Sequence, residues 1–423
     1  MNGNAPKELN SLNVQYTSND RKSFRVYLDK KSGITKLSDL DKNKRSLLES
    51  SQDNTNLALD ETTLSKLRSY KILVIESKGS RGAGTSADYS FYNSVLRRLF
   101  NEYEIEHTHL KTQSDTSIRE FANLVKPNTG ENYLVLFLSG DTTIFEFVNF
   151  VYTNILDVNF IPNITVLPFP HGTGNALANS IGLVNDVLCT QALFRLHVNH
   201  LPLYAISSAT SLKSIQPALS CFSNNDRILF MAVASWCLHS TLVYESDKPE
   251  LRSQYGSERF RIAANRILEE NPVFKGRLTI HPENKSLLYH DDRWSIEVTS
   301  SDQYQNLSYF ILAALSNFEK TFKISPESSV SRDELHVLTF PHVSSETTMR
   351  LMNAAYDDGK HISDSLILYK SINAGTTLEL SFTDDMCPAL SIVCLDGSSW
   401  EVTGKGRKIS VKSFQQSFLH YLS

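Results

Sequence analysis

Three glycine-containing loops hold the residues of this sequence best suited to chemistry on an anion. The segment LSGDTTIFEFVN sets Ser139, Gly140, Asp141 and Thr143 where an apolar strand meets the start of a helix. Backbone N–H groups at such a junction point at an anion, glycine permits close approach, and a carboxylate beside them holds Mg²⁺ or accepts a hydroxyl proton. Asp141 therefore reads as a catalytic base and metal ligand or, more plainly, as a helix cap. Glu146 follows one helical turn later. A second loop, PHGTGNALANSIG, carries Gly172, Thr173, Gly174 and Asn175, and a third, ESKGSRGAG, carries Gly79, Arg81 and Gly82 beside Lys78. Loops converging in this way suit phosphate. His171 reads as an exposed turn residue rather than a catalytic one.

Each loop follows a short apolar strand and precedes apolar residues at helical spacing. Residues 72–75 form the first strand and SFYNSVLRRLFNEY the helix after its loop. YLVLFL is the second strand, followed by the stripe Ile144, Phe147, Val148 and Val151; the third strand ends at Pro168, with a helix from Ala176. This alternation predicts a Rossmann-like, doubly wound parallel sheet over residues 70–200, with helices on both faces and ligands beyond the carboxyl ends of the strands. Residues 1–69 read as a polar N-terminal extension, partly flexible. Over residues 201–423, short strands such as ILFMAVASW, RWSIEVTS and TTLELSF predict an antiparallel β-sandwich, with one helical interruption at GSERFRIAANRILEEN.

The chain has 423 residues, enough for more than one domain, and its 41% hydrophobic and 21% charged residues are those of a folded globular protein. A formal net charge of −4 gives no global field to recruit nucleic acid or an anionic membrane. Five scattered cysteines without metal spacing point to a reduced, cytoplasmic setting. The first residues lack the apolar core of a secretory signal, and no apolar run reaches the length of about 18 residues that a membrane span needs.

The loops resemble the catalytic domain shared by diacylglycerol, sphingosine and ceramide kinases and their bacterial relatives. That family's signature is Gly-Gly-Asp-Gly-Thr or Ser-Gly-Asp-Gly, then Glu and Asn on the next helix, then Pro-x-Gly-Thr-Gly-Asn. The matching residues are Ser139, Gly140, Asp141, Thr143, Glu146 and Asn149, then Pro170, Gly172, Thr173, Gly174 and Asn175. ASWCLHSTLVYESDKPELRSQYGSERF is similar to the sphingosine kinase segment from a Trp-Gly strand through Glu-Ser-Glu to Gly-x-x-Arg-Phe, on Trp236, Glu245, Ser246, Gly256, Arg259 and Phe260. The resemblance spans about residues 70–415 and implies ATP and Mg²⁺ as cofactors, a lipid substrate and peripheral membrane contact. It implies phosphate contacts from Arg259 and Arg252, an adenine-side place for Thr112, and nucleotide-site roles for Asp396 and Gly397. Gly359 and His361 match a Gly-x-His segment without an assigned role.

Four segments depart from the family pattern. Thr142 replaces a glycine and tolerates positive φ poorly. Glu76-Ser77 replaces Asn-Pro and sets a carboxylate near an anionic ligand. Ser240, Thr241, Leu242 and Val243 replace Ala-Asp-x-Asp, removing the acids that lie by a sphingoid amine. Ser398 replaces the Glu of Asp-Gly-Glu. The function expected is transfer of the γ-phosphoryl group of ATP to a lipid hydroxyl, of the sphingoid base, ceramide or diacylglycerol class. A catalytically lapsed protein binding nucleotide, lipid or a protein partner is the first alternative, and an NAD kinase-like enzyme the second.

Overall fold

The computed structural model describes residues 9–17, 21–40, 54–78, 89–127, 130–155, 157–208, 211–224, 227–281, 305–373, 375–383, 387–415 and 418–423. The chain divides into two compact units, Met1–His200 with Phe418–Ser423, and Leu201–Ser417.

The first unit opens with strands β1 (Ser11–Tyr16), β2 (Phe24–Asp29), β3 (Ile34–Asp39) and β4 (Asn54–Leu59), which form a four-stranded sheet in the order β3-β2-β1-β4. The stretch read from sequence as a polar, partly flexible extension thus contributes a sheet. Leu12, Val14, Tyr16, Phe24, Val26 and Leu59 alternate along it and join one core with Leu99, Tyr103 and Phe194. Helix α1 (Glu61–Arg68) is capped by Asp60, whose carboxylate accepts the Thr63 N–H.

The second sheet of this unit combines β5 (Tyr70–Glu76), β6 (His107–Lys111), β7 (Asn132–Ser139), β8 (Ile164–Pro170), β9 (Val198–His200) and the last strand, Leu419–Leu422. Its order is β6-β5-β7-β8, then the last strand, then β9; all neighbours run parallel except β9. Strand β8 runs to Pro170, two residues past the expected end at Pro168. Helices α2 (Arg97–Glu102), α3 (Ser117–Ala122), α4 (Asp141–Asn154), α5 (Ala176–Ser180) and α6 (Asp186–Arg195) fill the crossovers. One sheet face carries Ile72, Val74, Leu136 and Phe169 into the core with α2 and α6, while Phe137 on the other face meets Phe147 of α4. Ile144, Phe147, Val148 and Val151 are all buried, as their helical spacing predicts.

In the second unit, strands β10 (Tyr204–Ser208) to β21 (Lys408–Ser413) form one antiparallel twelve-stranded sheet among the described residues. Within it β15 (Gln305–Ala313) bonds β14 (Phe274–His281) along its first residues and β13 (Val233–Cys237) along its last, with β16 (Glu334–Pro341) on its other edge. The strand-rich second region expected from sequence thus contains a large antiparallel sheet. The expected strand ILFMAVASW is split into β12 (Ile228–Phe230) and β13, and RWSIEVTS lies outside the described residues. The single expected helix is α9 (Arg259–Glu270); α7 (Leu238–Ser246), α8 (Pro249–Tyr255) and α10 (Ser345–Tyr356) accompany it. No helix among the described residues is long and apolar enough to cross a membrane.

Candidate functional site

Strands β7 and β8 pair in register up to Ser139 and Pro170, so the loops that follow them start side by side. They touch through glycine. A Cβ on Gly172 would lie 2.4 Å from the Gly140 Cα and 2.8 Å from Asn175 Oδ1, and one on Gly140 would lie 3.2 Å from the Gly172 Cα. Backbone thus packs on backbone, an approach that Gly172 alone allows.

The second loop is closed by its own asparagines. Asn175 is left-handed at φ 60°; its Oδ1 accepts the Gly172 N–H at 2.7 Å and its Nδ2 donates to the Gly172 carbonyl at 2.8 Å. Asn179 Nδ2 donates to the Gly174 carbonyl at 2.9 Å. Thr173 is the exposed tip of the turn. Asp141, first residue of α4, reaches across to the same loop: its carboxylate accepts the N–H of Ala176 at 2.5 Å and of Leu177 at 3.1 Å. It caps α5, the neighbouring helix, rather than its own. Burial pushes its pKa up, against the pull of these amides.

Thr142 is the second residue of α4 and has negative φ, so the strain expected from its replacing glycine does not arise. The Thr143 N–H donates to the Gly140 carbonyl at 3.1 Å, and Ser139 is buried at the strand end. Glu146 is half-buried; burial first, and Asp115 second, push its pKa up to about 7. Thr112 Oγ1 accepts the Lys78 N–H at 2.8 Å, tying the end of β6 to the segment leaving β5. Gly79, Arg81 and Gly82 lie outside the described residues.

Two histidine–carboxylate pairs, neither anticipated from sequence, flank these loops. Glu76 Oε2 lies 2.9 Å from His109 Nε2 on β6, and Tyr92 stacks on that ring at 3.6 Å. Burial opposes the Glu76 charge, but His109, Ser90 and Lys111 outweigh it and hold the carboxyl below its ordinary pKa. The repulsive acid expected at this position is therefore already offset. His171 is no exposed turn residue: its side chain is 12% exposed and its Nε2 lies 2.7 Å from Asp186 Oδ1. His107 and His109 alternate on one strand, a signal for a shared face; Asp186, 15 residues from His171, offered none.

In the second unit, Arg259 is largely buried. Its Nη1 donates to the Gly256 carbonyl at 2.9 Å, its Nη2 lies 3.9 Å from Asp247 Oδ1, and its Nε has no hydrogen-bond partner among the described residues. Arg252 Nε lies 3.7 Å from the same carboxylate. Burial, then Arg252, lower the Arg259 pKa while Asp247 opposes them. Two guanidiniums sharing one carboxylate leave one positive charge uncompensated, an arrangement that fits an anion.

Asp396 and Gly397, expected at the nucleotide, form the two-residue turn between β19 (Ile392–Leu395) and β20 (Ser398–Thr403), with φ 46° and 86°. Asp-Gly with both φ positive is a type I′ hairpin turn, which the dipeptide itself signals. The Asp396 carboxylate is buried and accepts the N–H groups of Met231, Ala232 and Val233 at 2.8–2.9 Å. These bonds tie the bend between β12 and β13. Cys237 takes the place of the family glycine after Trp236 and has φ 65° and ψ −140°, with the hydroxyls of Ser240 and Thr241 both donating to its carbonyl. His361 is buried with Nε2 3.0 Å from the Ile324 carbonyl, and Gly359 packs on Pro326.

Residues 73–202 match the diacylglycerol kinase catalytic domain family. Two solved structures from Bacillus anthracis str. Sterne, each described as a "putative diacylglycerol kinase", share the fold. The first is 13% identical with a TM-score of 0.50, the second 11% identical with a TM-score of 0.52; each alignment covers 83% of this chain and 96% of the other. No curated protein matches the sequence.

Proposed function

We propose that this chain, whose residues 73–202 match the diacylglycerol kinase catalytic domain family, is a lipid kinase that transfers the γ-phosphoryl group of ATP to a lipid hydroxyl. The observation that carries this reading is the apposition of Gly140 and Gly172, with Asn175 closing the second turn. Backbone meets backbone where the two loops leave one sheet edge, so an anion can approach the turn closely.

Phosphoryl transfer asks a protein mainly for positioning and charge neutralisation. Residues 140, 143 and 172–175 of the first unit are suited to hold phosphate; separately, Arg259 and Arg252 of the second unit share the Asp247 carboxylate. Mg²⁺, when bound with the nucleotide, supplies further neutralisation. Asp141 is the residue that would hold it, since each carboxylate oxygen keeps an acceptor site beyond its one amide. Glu146, with its pKa near 7, supports Asp141 as a group that gains and loses a proton close to neutrality.

The start of α7 favours a lipid with an uncharged head, ceramide or diacylglycerol, over a sphingoid base. Ser240 and Thr241 turn their hydroxyls to the Cys237 carbonyl, and Leu242 and Val243 hold no charge for an amine. Engagement of both Asp141 oxygens favours a second reading, a protein that binds nucleotide and lipid without turnover.

Purified protein with labelled ATP, Mg²⁺ and a panel of diacylglycerol, ceramide, sphingoid base and NAD separates these readings. Phospholipid product from wild type and none from Asp141→Asn is expected. Product from no acceptor, with the two proteins indistinguishable, removes the kinase reading; nucleotide binding that persists then supports the second one.

A further inference from the structure

His171 immediately precedes Gly172, and its ring is enclosed by Phe91 edge-on at 6.1 Å, Phe169 at 6.1 Å and the Asp186 carboxylate at 2.7 Å from Nε2. Asp186 begins α6, so this contact fastens the residue before the glycine turn to a second helix. We propose that His171 is a proton-dependent positioning residue for the turn at residues 172–175, and that anion affinity there falls as His171 loses its proton. This inference rests on the reading of that turn as a phosphate site.

Asp186, at 14% exposure, and Glu76 are the carboxylates whose fields act on His171. Glu76 is offset by His109 at 2.9 Å and by Lys111. The other titratable groups in the field of Asp186 are the Tyr89 hydroxyl, which donates to the Thr35 carbonyl, and the buried Cys189 thiol, both held protonated by burial. Among the described side chains, His171 is the one paired with the Asp186 carboxylate. With the imidazolium present the pair is neutral; with neutral imidazole a carboxylate of low exposure is left beside a turn that has to accept phosphate.

Burial works against the charged ring, yet Asp186 and then Glu76 raise the His171 pKa above its ordinary value. The pair is thus intact on the acid side of neutrality and is lost as pH rises through the raised pKa. His171 holds no free donor toward the ligand from Nε2, so its effect on an anion passes through the turn and the local charge.

The test is calorimetric titration of the full chain with MgATP between about pH 6 and about pH 8.5. Wild type is compared with His171→Gln, which can still donate to Asp186 but does not titrate, and with Asp186→Asn, which leaves His171 in place. The expected result is a dissociation constant that rises about three- to tenfold across this interval in wild type and less than about twofold in either variant. Comparison with the variants cancels the ionisation of the ligand itself. Parallel pH profiles in wild type and in whichever variants retain the native circular dichroism spectrum would overturn the inference while leaving the phosphate site standing. Absence of MgATP binding by wild type at every pH would remove the phosphate-site reading, and this inference with it.

Discussion

The Asp141 carboxylate accepts the Ala176 backbone N–H at 2.5 Å, joining two loops that are 35 residues apart in the chain. The acid that stands out as a catalytic candidate is therefore also the bolt between the two glycine turns. Asp141→Asn keeps the size but loses one acceptor oxygen and the charge, so one helix amide goes unmet. Unfolding by urea without any ligand should show a loss of about 1–2 kcal/mol. Unchanged stability would mean that the bridge contributes nothing to the fold.

Gly172→Ala should be the more damaging of the two glycine substitutions. The new Cβ would meet backbone at 2.4 Å from the Gly140 Cα, which cannot be relieved by turning a side chain. A cost of about 2 kcal/mol or more is expected, with loss of nucleotide binding. Gly140→Ala, at 3.2 Å, should cost less. Thermal melts of both variants give the order.

Glu146 gives a stability change of definite sign. Its pKa of about 7 in the folded chain lies above the ordinary carboxyl value of 4.5, so the folded state holds the proton more tightly. Its contribution is favourable below the ordinary value, falls as pH rises towards 7, and levels off above it. Glu146→Gln should flatten that fall and leave the variant about 1–3 kcal/mol more stable than wild type near pH 8, as read from urea midpoints at about pH 5 and pH 8.

Cys237 inverts the usual ranking of glycine and alanine. With φ 65° and ψ −140° it occupies backbone space that suits glycine. Cys237→Ala keeps the Cβ strain and loses the buried sulfur, whereas Cys237→Gly removes both. Glycine should therefore melt above alanine at this position, by the few degrees that about 1 kcal/mol produces. The ordinary order, alanine above glycine, would show that the conformation carries no strain.

Much of the candidate site was legible before the fold. The apolar runs of β5, β7 and β8, the glycine turns after them and the α4 stripe are local patterns, and local hydrophobic periodicity is what a sequence displays directly. The Asp396-Gly397 turn was equally legible, since Asp-Gly is a hairpin dipeptide, but the motif resemblance drew it towards the nucleotide. The alternation of Leu12, Val14 and Tyr16 was in view as well. Its polar neighbours made it resemble a flexible extension, and only the partners supplied by Phe24, Tyr103 and Phe194 turn it into a buried strand.

By itself, then, the sequence determined the strands β5, β7 and β8 and the helix α4, and that two glycine turns emerge at one edge of a parallel sheet. The tertiary structure decided what the polar side chains there do. Asp141 is paired with amides 35 and 36 residues away, His171 with an acid 15 away, and Asp396 with amides 163 to 165 away. The reason is physical: strand and helix propensities depend on neighbours along the chain, whereas the partner of a buried charge is whichever group the packed backbone brings within hydrogen-bond distance.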